Sequence, residues 1–220
     1  MSAARREALR GLYAITPARA DATRLESDVR ACLAGGARVL QYRFKALPAS
    51  LAREQAERLA RACREHDALF IVNDSVELAR EVGADGVHLG REDADARAAR
   101  RTWPEGIIGV SCYADASLAR EAADAGADYV GIGSVFASST KPGAVRAPLS
   151  LLAQAHAVSR LPVAAIGGIT LGNARAAIEA GAHMVAVISA IFDAPDIEAA
   201  AREFTSLFEA QPAGALHVRT

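Results

Sequence analysis

The sequence lacks the features that mark several large classes of protein. Only three cysteines occur in 220 residues, Cys32, Cys63 and Cys112, and their spacing fits neither a metal site nor a disulfide framework. We therefore expect reduced thiols, as is usual in cytosolic proteins. No apolar run is long enough to span a bilayer, and the two arginines near the amino terminus are not followed by a signal-peptide core. These absences predict a cytoplasmic protein without a membrane partner.

The charge balance argues against another class of partner. Lys and Arg number 25 and Asp and Glu 26, so the net charge of -1 gives no general attraction for nucleic acid or anionic lipid. Small-molecule substrates are the expected partners, and a homo-oligomer stays open. The length and an apolar fraction of 51% predict one domain over 1–220, with a core from 11–209 and peripheral or flexible termini at 1–10 and 210–220.

Apolar runs bounded by glycine or polar residues alternate with Ala-, Leu- and Arg-rich stretches of helical periodicity. The predicted strands are 11–16, 37–44, 69–74, 86–90, 107–112, 129–136, 163–168 and 184–189. The predicted helices are 24–34, 50–66, 76–82, 93–102, 116–125, 149–158, 171–180 and 197–209. This regular alternation predicts successive βα units and a parallel sheet.

A short internal repeat favours a closed sheet over an open one. Four copies of Gly-Ala-polar-x-apolar begin at Gly36, Gly83, Gly126 and Gly181, before every second predicted strand. The glycine suits a left-handed helix end, and the alanine allows close packing beneath it. A βαβα unit that recurs in this way predicts a single (β/α)8 TIM barrel in the α/β class. A doubly wound open sheet is the alternative fold, but no Gly-rich dinucleotide fingerprint follows the first strand.

In such a barrel, function is expected at the carboxyl ends of the strands, and these ends are rich in polar residues. On the second strand, Gln41, Arg43 and Lys45 share one face by alternation. The remaining polar ends are Asn73-Asp74, Asp93, Ser111, Ser138-Ser139-Thr140-Lys141, Gly167-Gly168 and Ile188-Ser189, in strand order from the third to the eighth. Hydroxyl, ammonium and guanidinium groups gathered at one end indicate phosphate ligands. For Ser138–Lys141 a solvated turn is the alternative.

Two phosphate-bearing ligands are indicated. Gly167-Gly168 followed by Ile188-Ser189 is the combination that barrels often use for a phosphomonoester, although the glycines could equally form a tight turn. The cations Arg43, Lys45 and Lys141 exceed what one monophosphate requires, which favours a diphosphate as the second ligand.

A magnesium site is the third expectation. Asp74 and Asp93 end adjacent predicted strands and could hold Mg²⁺ together with diphosphate oxygens, because Mg²⁺ usually takes one or two carboxylates plus phosphate and water. The alternative is that Asp93 caps the following helix, and Asp74 is open to a similar reading, although Ser75 could take that capping role instead.

The residues resemble the thiamine-phosphate synthase family, also called thiamine-phosphate pyrophosphorylase, from Leu12 to Phe208. The resemblance is carried by Gln41-x-Arg43-x-Lys45, Asn73-Asp74, Ala84-Asp85-Gly86-Val87-His88-Leu89-Gly90-x-x-Asp93, Gly109-x-Ser111, Gly133-x-Val135-Phe136-x-x-x-Thr140-Lys141, Ala165-Ile166-Gly167-Gly168-Ile169 and Val187-Ile188-Ser189-Ala190-Ile191. Each motif alone is moderately specific, but their order and their places at the strand ends make the set highly specific.

The resemblance implies an alkyl transferase that joins 4-amino-2-methyl-5-hydroxymethylpyrimidine diphosphate to 4-methyl-5-(2-phosphooxyethyl)thiazole, giving thiamine phosphate and pyrophosphate. The positions implied for the pyrimidine diphosphate are Gln41, Tyr42, Arg43, Phe44, Lys45, Asn73, Ser111 and Lys141. Those implied for the thiazole phosphate are Ser138, Ser139, Thr140, Gly168, Ile188 and Ser189. It also implies that Mg²⁺ is the cofactor and that Asp74 and Asp93 hold it.

The chemistry of that reaction assigns the catalytic groups. Cleavage of the pyrimidine-CH₂–O bond ahead of attack creates a benzylic-type cation and a pyrophosphate anion, so preorganised groups that stabilise the anion lower the barrier most. The groups suited to this are Arg43, Lys45, Ser111 and Lys141. No general base is required, because the thiazole nitrogen carries its own lone pair. His88 is accordingly expected to be a packed, hydrogen-bonded residue.

Three departures from the family pattern and two rival functions remain. Phe44 stands where an acid is common and is expected to point away from the ligand. Ser134 replaces a common proline, which leaves the loop path open, and Cys112-Tyr113 replaces a polar or His-containing pair.

A thiazole tautomerase is one rival, but that family lacks the paired aspartates and places a histidine where Ser134 stands. A non-catalytic barrel that binds thiamine precursors is the other.

Overall fold

Eight parallel strands pair in chain order and close into a barrel in the computed structural model. The structure describes residues 8–44, 47–91, 93–137 and 145–209. The strands are β1 (Gly11–Ile15), β2 (Val39–Tyr42), β3 (Leu69–Asn73), β4 (Gly86–Leu89), β5 (Ile107–Tyr113), β6 (Tyr129–Ile132), β7 (Val163–Ile166) and β8 (Met184–Val187). The closing pair is β1 with β8, where Leu12 lies opposite Val185. The predicted TIM barrel is confirmed and the open sheet was wrong.

Helices cover the outside of the barrel, and their positions follow the predicted alternation closely. They are α1 (Ala22–Ala34), α2 (Ala49–Glu65), α3 (Val76–Glu81), α4 (Ala96–Thr102), α5 (Ala116–Asp124), α6 (Ser150–Ser159), α7 (Leu171–Glu179), α8 (Ser189–Phe192) and α9 (Ile197–Glu209). Two differences matter for the site. The helix expected over 93–102 begins only at Ala96, because Asp95 caps it, and the four-residue α8 was not predicted.

The four Gly-Ala repeats form the same turn. Gly36, Gly83, Gly126 and Gly181 all have positive φ, between 65° and 104°. In the first copy the amide of Ala37 donates to the carbonyl of Cys32, and the other three alanines make the equivalent bond five residues back. This is the Schellman pattern, which satisfies the last carbonyls of a helix. The predicted role of the repeat is confirmed.

The residue after each Gly-Ala pair joins the new strand to its predecessor. The amides of Arg38, Asp85, Asp128 and His183 donate to carbonyls of Leu12 in β1, Phe70 in β3, Ile108 in β5 and Val163 in β7. Strand register is therefore set at the amino-terminal end of the barrel, away from the opposite end, here termed the carboxyl rim.

Alternation along the strands divides the core into two parts. A smaller apolar cluster fills the barrel interior and includes Tyr13, Val39, Ile71, Ile107 and Met184. Leu9 belongs to it as well and is 1% exposed, so apolar packing inside the barrel begins before β1. The larger cluster lies between the strands and the helices. This is the expected arrangement of a (β/α)8 core, in which inward side chains fill the barrel rather than leave a pore.

The predictions of reduced cysteines and of no membrane-spanning segment can be compared with the described part of the chain. Cys32, Cys63 and Cys112 are free and buried, in α1, α2 and β5, as expected for reduced thiols. Burial raises the pKa of each thiol. None of the helices within the described ranges is both long and apolar enough to cross a bilayer.

Stability should depend on pH through His183, at the amino-terminal end of β8. Burial, with a smaller contribution from the neighbouring His156 and from Arg10, lowers the pKa of His183 from 6.5 to about 4. Since the unfolded chain binds this proton more readily, the contribution of His183 is complete above about pH 6.5 and declines towards pH 4. Nδ1 of His183 accepts from the Val163 amide at 3.2 Å, an acceptor that asparagine can imitate.

We therefore expect His183→Asn to become more stable relative to the wild type as the pH falls from 7 to 4. The measurement is urea unfolding of both proteins at several pH values. Any packing loss from the substitution is the same at every pH and cancels from the slope, and His88, whose pKa is also about 4, is present in both proteins. A stability difference that does not change with pH would contradict the assignment.

Candidate active site

The end of β2 carries Gln41 and Arg43 on the inward face, and Thr16 holds this strand end in place. Thr16 is 1% exposed, and its Oγ1 accepts from the amide of Arg43 at 2.9 Å. The amide of Thr16 in turn donates to the carbonyl of Gln41 at 2.9 Å. Thr16 was not among the predicted site residues, because its role depends on pairing between strands that are far apart in sequence.

Arg43 is half-buried and directly follows β2 at the carboxyl rim. Within the described ranges, the arginines that pair with carboxylates are Arg19, Arg24, Arg30, Arg53, Arg58, Arg100 and Arg202. Arg43 is not one of them, which suits a cation that is to meet a ligand anion.

Tyr42 and Phe44 face the helices instead of the barrel interior. Tyr42 is 1% exposed and donates from Oη to Oε1 of Gln55 in α2 at 2.8 Å. The Phe44 ring stacks on Tyr42, with centroids 5.2 Å apart. The Phe44 side chain thus packs with the cluster between strands and helices, in line with the expectation that it points away from the ligand.

The end of β3 places Asn73 and Asp74 at the rim. Asn73 is 8% exposed and ends the inward face of the strand. Asp74 follows in a left-handed conformation with φ 67°, which aspartate tolerates better than most residues, and its amide donates to the carbonyl of His88 at 2.8 Å. Ser75 caps α3 by accepting from the Leu78 amide, so Asp74 does not serve as that cap.

Asp93 lies in a tight turn after β4. Its Oδ2 accepts from the Gly90 amide at 2.6 Å, and a Cβ on Gly90 would lie 2.9 Å from the same oxygen. The helix-capping alternative for Asp93 is wrong, because Asp95 accepts from the Ala98 amide and caps α4. The turn fixes one oxygen of Asp93, and a carboxylate has lone pairs for further partners.

A chain of hydrogen bonds crosses the barrel interior and ends at Ser111. Nε2 of Gln41 donates to Oη of Tyr13 at 2.7 Å, and Oη of Tyr13 lies 2.6 Å from Oη of Tyr129. Oη of Tyr129 lies 2.9 Å from Nδ1 of His88, whose Nε2 lies 2.9 Å from Oγ of Ser111. These five residues, termed the polar chain, come from β2, β1, β6, β4 and β5. His88 is packed and hydrogen-bonded, as predicted, but its partner Ser111 was not foreseen.

Burial controls the protonation of the polar chain. It raises the pKa of Tyr13 and Tyr129, so both keep their hydroxyl hydrogens. It also lowers the pKa of His88 to about 4, which makes the imidazole neutral near pH 7. Both ring nitrogens of His88 are engaged, Nδ1 by Tyr129 and Nε2 by Ser111.

The ends of β6 and β7 are held together by backbone bonds. The amide of Val135 donates to the carbonyl of Ile166, and that of Phe136 donates to the carbonyl of Gly167, at 2.9 and 3.0 Å. Ser134 donates from Oγ to the carbonyl of Phe136, which settles the loop path over this short segment. For Gly167-Gly168, the sequence left open a tight turn or a phosphate site. The two interpretations are compatible, since both concern the same backbone.

Gly167 and Gly168 have no room for a side chain. Their φ values are 101° and 62°. A Cβ on Gly167 would lie 2.1 Å from Oγ of Ser134, and one on Gly168 would lie 2.0 Å from the Ala137 carbonyl oxygen. Ile188 and Ser189 follow β8, which pairs with β7, and Ser189 is exposed as the first residue of α8.

The remaining predicted site residues are Lys45, Ser138, Ser139, Thr140 and Lys141, and they lie outside the described residues. The structure thus brings Gln41, Arg43, Asn73, Asp74, Asp93, Ser111, Gly168, Ile188 and Ser189 to one end of the barrel.

Comparison with known proteins assigns the family. The pattern that defines the thiamine monophosphate synthase family matches residues 12–191. A thiamine-phosphate synthase from Chromobacterium violaceum is 55% identical over 202 residues, covering 91% of this chain and 97% of the relative. The one from Aromatoleum aromaticum is 52% identical over 203 residues, with coverage of 92% and 98%. The chain belongs to the thiamine monophosphate synthase family, and it is a transferase.

Solved structures agree with this assignment. A thiamine phosphate pyrophosphorylase from Pyrococcus furiosus superimposes with a TM-score of 0.84 at 38% identity, covering 93% of this chain and 98% of the other. A 3-hexulose-6-phosphate synthase superimposes with a TM-score of 0.65 at 22% identity over 89% of this chain and 99% of the other, and it shares the fold.

The role of Thr16 can be tested with two substitutions. Thr16→Val keeps the shape but leaves the buried Arg43 amide without an acceptor, so we expect a loss of about 1–3 kcal/mol in the free energy of unfolding. Thr16→Ser keeps the hydroxyl and should lose clearly less. Urea unfolding of the two variants provides the measurement. A valine variant as stable as the wild type would show that the hydroxyl bond to the Arg43 amide is not the important contact.

Proposed function

We propose that this protein condenses 4-amino-2-methyl-5-hydroxymethylpyrimidine diphosphate with 4-methyl-5-(2-phosphooxyethyl)thiazole to give thiamine phosphate and pyrophosphate. The observation that carries the proposal is the gathering of Arg43, Asp74, Asp93 and Ser111 at the rim of a barrel 55% identical to a thiamine-phosphate synthase. These are groups that a diphosphate leaving group requires. Reduced buried thiols support a cytoplasmic location as part of the same proposal.

The pyrimidine diphosphate is assigned to the side of the rim formed by β2 to β5. Arg43 offers a guanidinium, which can form paired hydrogen bonds with phosphate oxygens, and Ser111 offers a hydroxyl. Gln41 and Asn73 supply amide groups on the inward faces of β2 and β3, below the rim. Lys45 and Lys141 belong to the proposed set from the sequence. As the C–O bond breaks, negative charge grows on the leaving group, and fixed donors stabilise it without reorganising.

Magnesium fits this side of the rim. Asp74 and Asp93 supply hard oxygen donors, and the turn at Gly90 orients the Asp93 carboxylate without consuming all its lone pairs. Within the described part of the chain, no group of three or more acidic, His or Cys side chains is arranged to hold a metal. An ion on two carboxylates would complete its coordination with phosphate and water, and when bound it would neutralise charge on the diphosphate.

The thiazole phosphate is assigned to the ends of β7 and β8. The tight turn at Gly167-Gly168, packed against Ser134 and Ala137, can offer backbone amides to a phosphate, and Ser189 adds a hydroxyl at the start of α8. Ile188 provides apolar surface beside it. Ser138, Ser139 and Thr140 are included from the sequence. Two substrates held at adjacent strand ends would meet without a general base, since proximity supplies much of the advantage of such reactions.

The direct test is to mix the purified protein with both substrates and Mg²⁺ and to measure thiamine phosphate and pyrophosphate. Formation of both products in equal amounts is expected. Conversion of a thiazole precursor without the pyrimidine substrate would instead support the tautomerase, and tight binding of both ligands without turnover would support the non-catalytic barrel.

The metal assignment predicts a contrast between two neighbouring aspartates. Asp93→Asn should lower turnover by roughly 10²-fold and raise the Mg²⁺ concentration needed, if the carboxylate acts as a preorganised contact to the leaving group. Asp95→Asn is the matched control, because it removes a charge only two residues away while asparagine caps α4 equally well. Steady-state rates over a Mg²⁺ titration distinguish them. Equal losses in both variants would show that the effect is general electrostatics and not metal binding.

A further inference from the structure

The polar chain has a definite direction that follows from its donors. The amide nitrogen of Gln41 can only donate, so Oη of Tyr13 accepts from it. Tyr13 then donates its single hydrogen to Oη of Tyr129, which lies 2.6 Å from Oη of Tyr13. Tyr129 in turn donates its hydrogen to Nδ1 of His88. A neutral imidazole that accepts at Nδ1 carries its hydrogen on Nε2. Nε2 of His88 therefore donates to Oγ of Ser111.

This direction leaves the hydrogen of Ser111 for another partner. Oγ of Ser111 accepts from His88, so its own O–H is a donor that the polar chain does not use. Ser111 is half-buried at the rim end of β5, where the strand register shifts before Tyr113. A hydroxyl that is free to rotate would offer lone pairs as readily as its hydrogen, whereas one that accepts from His88 is held as a donor.

The barrel interior leaves space for the polar chain. A Cβ on Gly109 would lie 2.1 Å from Cζ of Tyr129 and 2.4 Å from its Oη, so only glycine at this position in β5 leaves space for the tyrosine. The Tyr13 and Tyr129 rings pack edge to face with centroids 5.9 Å apart. A leucine or phenylalanine would fill the same interior without needing partners, so the polar groups are not explained by packing alone.

We propose that Tyr13, Tyr129 and His88 are positioning residues that hold the Ser111 O–H as a donor to the diphosphate leaving group. The inference rests on the proposed function and adds to it the reason why Ser111 acts as a donor. Gln41, at the other end of the chain, sets its direction. Breaking the polar chain at Tyr129 would let Nδ1 of His88 carry the ring hydrogen. Nε2 could then accept the hydrogen of the Ser111 hydroxyl, which would no longer be donated to the ligand.

The test is a double-mutant cycle between Tyr129→Phe and Ser111→Ala, measured as single-turnover rates at saturating substrates. Ser111→Ala should lower the rate by about 10²-fold, as loss of a preorganised donor does. Tyr129→Phe should lower it by roughly tenfold, because the donor is misdirected and not removed. In the Ser111→Ala background, Tyr129→Phe should have almost no further effect, since there is no hydroxyl left to orient.

Binding of pyrophosphate to the same four proteins gives a second readout that does not depend on turnover. Tyr129→Phe should weaken pyrophosphate binding only where Ser111 is present. If the wild type makes no thiamine phosphate, the proposed function fails, and this cycle still decides whether the chain orients Ser111. Should Tyr129→Phe fold poorly, His88→Leu removes the donor to Ser111 directly and gives the same test.

Ser159→Ala is the matched control for the loss of a buried hydroxyl. Ser159 is 8% exposed, lies on α6 outside the barrel and donates to the Ala155 carbonyl at 2.7 Å. We expect its rates and pyrophosphate affinity to equal those of the wild type. Equal losses from Tyr129→Phe with and without Ser111, or no loss at all, would overturn the proposal, because either result would make Tyr129 a purely structural residue.

Discussion

The hydroxyl oxygens of Tyr13 and Tyr129 lie 2.6 Å apart inside the barrel. Much of the candidate site depends on how these two buried groups complete their hydrogen bonds. A closed eight-stranded barrel must fill its interior with side chains, and a buried hydroxyl without a partner is costly. Tyr13 and Tyr129 meet this requirement by continuing outwards to Gln41 on one side and to His88 and Ser111 on the other. The same bonds that make the interior acceptable thus fix two predicted ligand-binding residues, Gln41 on β2 and Ser111 on β5.

The two ends of the barrel serve different purposes. At the amino-terminal end, the Gly-Ala turns satisfy helix carbonyls and help to set strand register through backbone bonds, to which the side chains of Asp85, Asp128 and His183 add. At the carboxyl rim, the strands end in side chains held by specific contacts, such as Thr16 on the Arg43 backbone and Gly90 on Asp93. Backbone bonds also join strand ends at the rim, so the side chains there can be selected for chemistry without loss of strand pairing. This separation is the general property that lets one barrel fold carry many activities.

Most of the fold could be predicted from the sequence, because strands, helices and the Gly-Ala repeat are local patterns. All eight strands and the eight longer helices were found, with errors confined to their ends. The four-residue α8 escaped because so short a helix has no periodicity to detect. The helix after β4 was started too early, since Asp93 and Asp95 look alike as caps and only the structure shows which one accepts the Ala98 amide.

The polar residues at the strand ends of the candidate site could be predicted from the sequence. The hydrogen bonds that connect them inside the barrel could not. Arg43, Asp74 and Ser111 follow directly from the rule that barrel chemistry lies at the carboxyl ends. The bond between His88 and Tyr129 joins residues 41 positions apart, and that between Tyr13 and Tyr129 spans 116. No spacing in the sequence encodes such pairs, because they depend on barrel closure. The contact of Thr16 with Arg43 and the packing of Tyr129 against Gly109 were not predicted for the same reason.

The Gly-Ala turns also bear on how barrels of this kind can be recombined. Each turn joins a helix to the next strand with the same short sequence and the same backbone bonds. At three of the four turns the side chain of the following residue, Asp85, Asp128 or His183, also accepts from an amide of the preceding strand, so a junction there should keep that residue with its partner strand. Cuts at Gly36, Gly83, Gly126 and Gly181 divide the chain into three βαβα segments and two terminal pieces whose strands, β1 and β8, pair with each other. Chimeras that exchange whole segments between relatives at these glycines should keep strand register, whereas exchanges cut within a helix or strand would interrupt it.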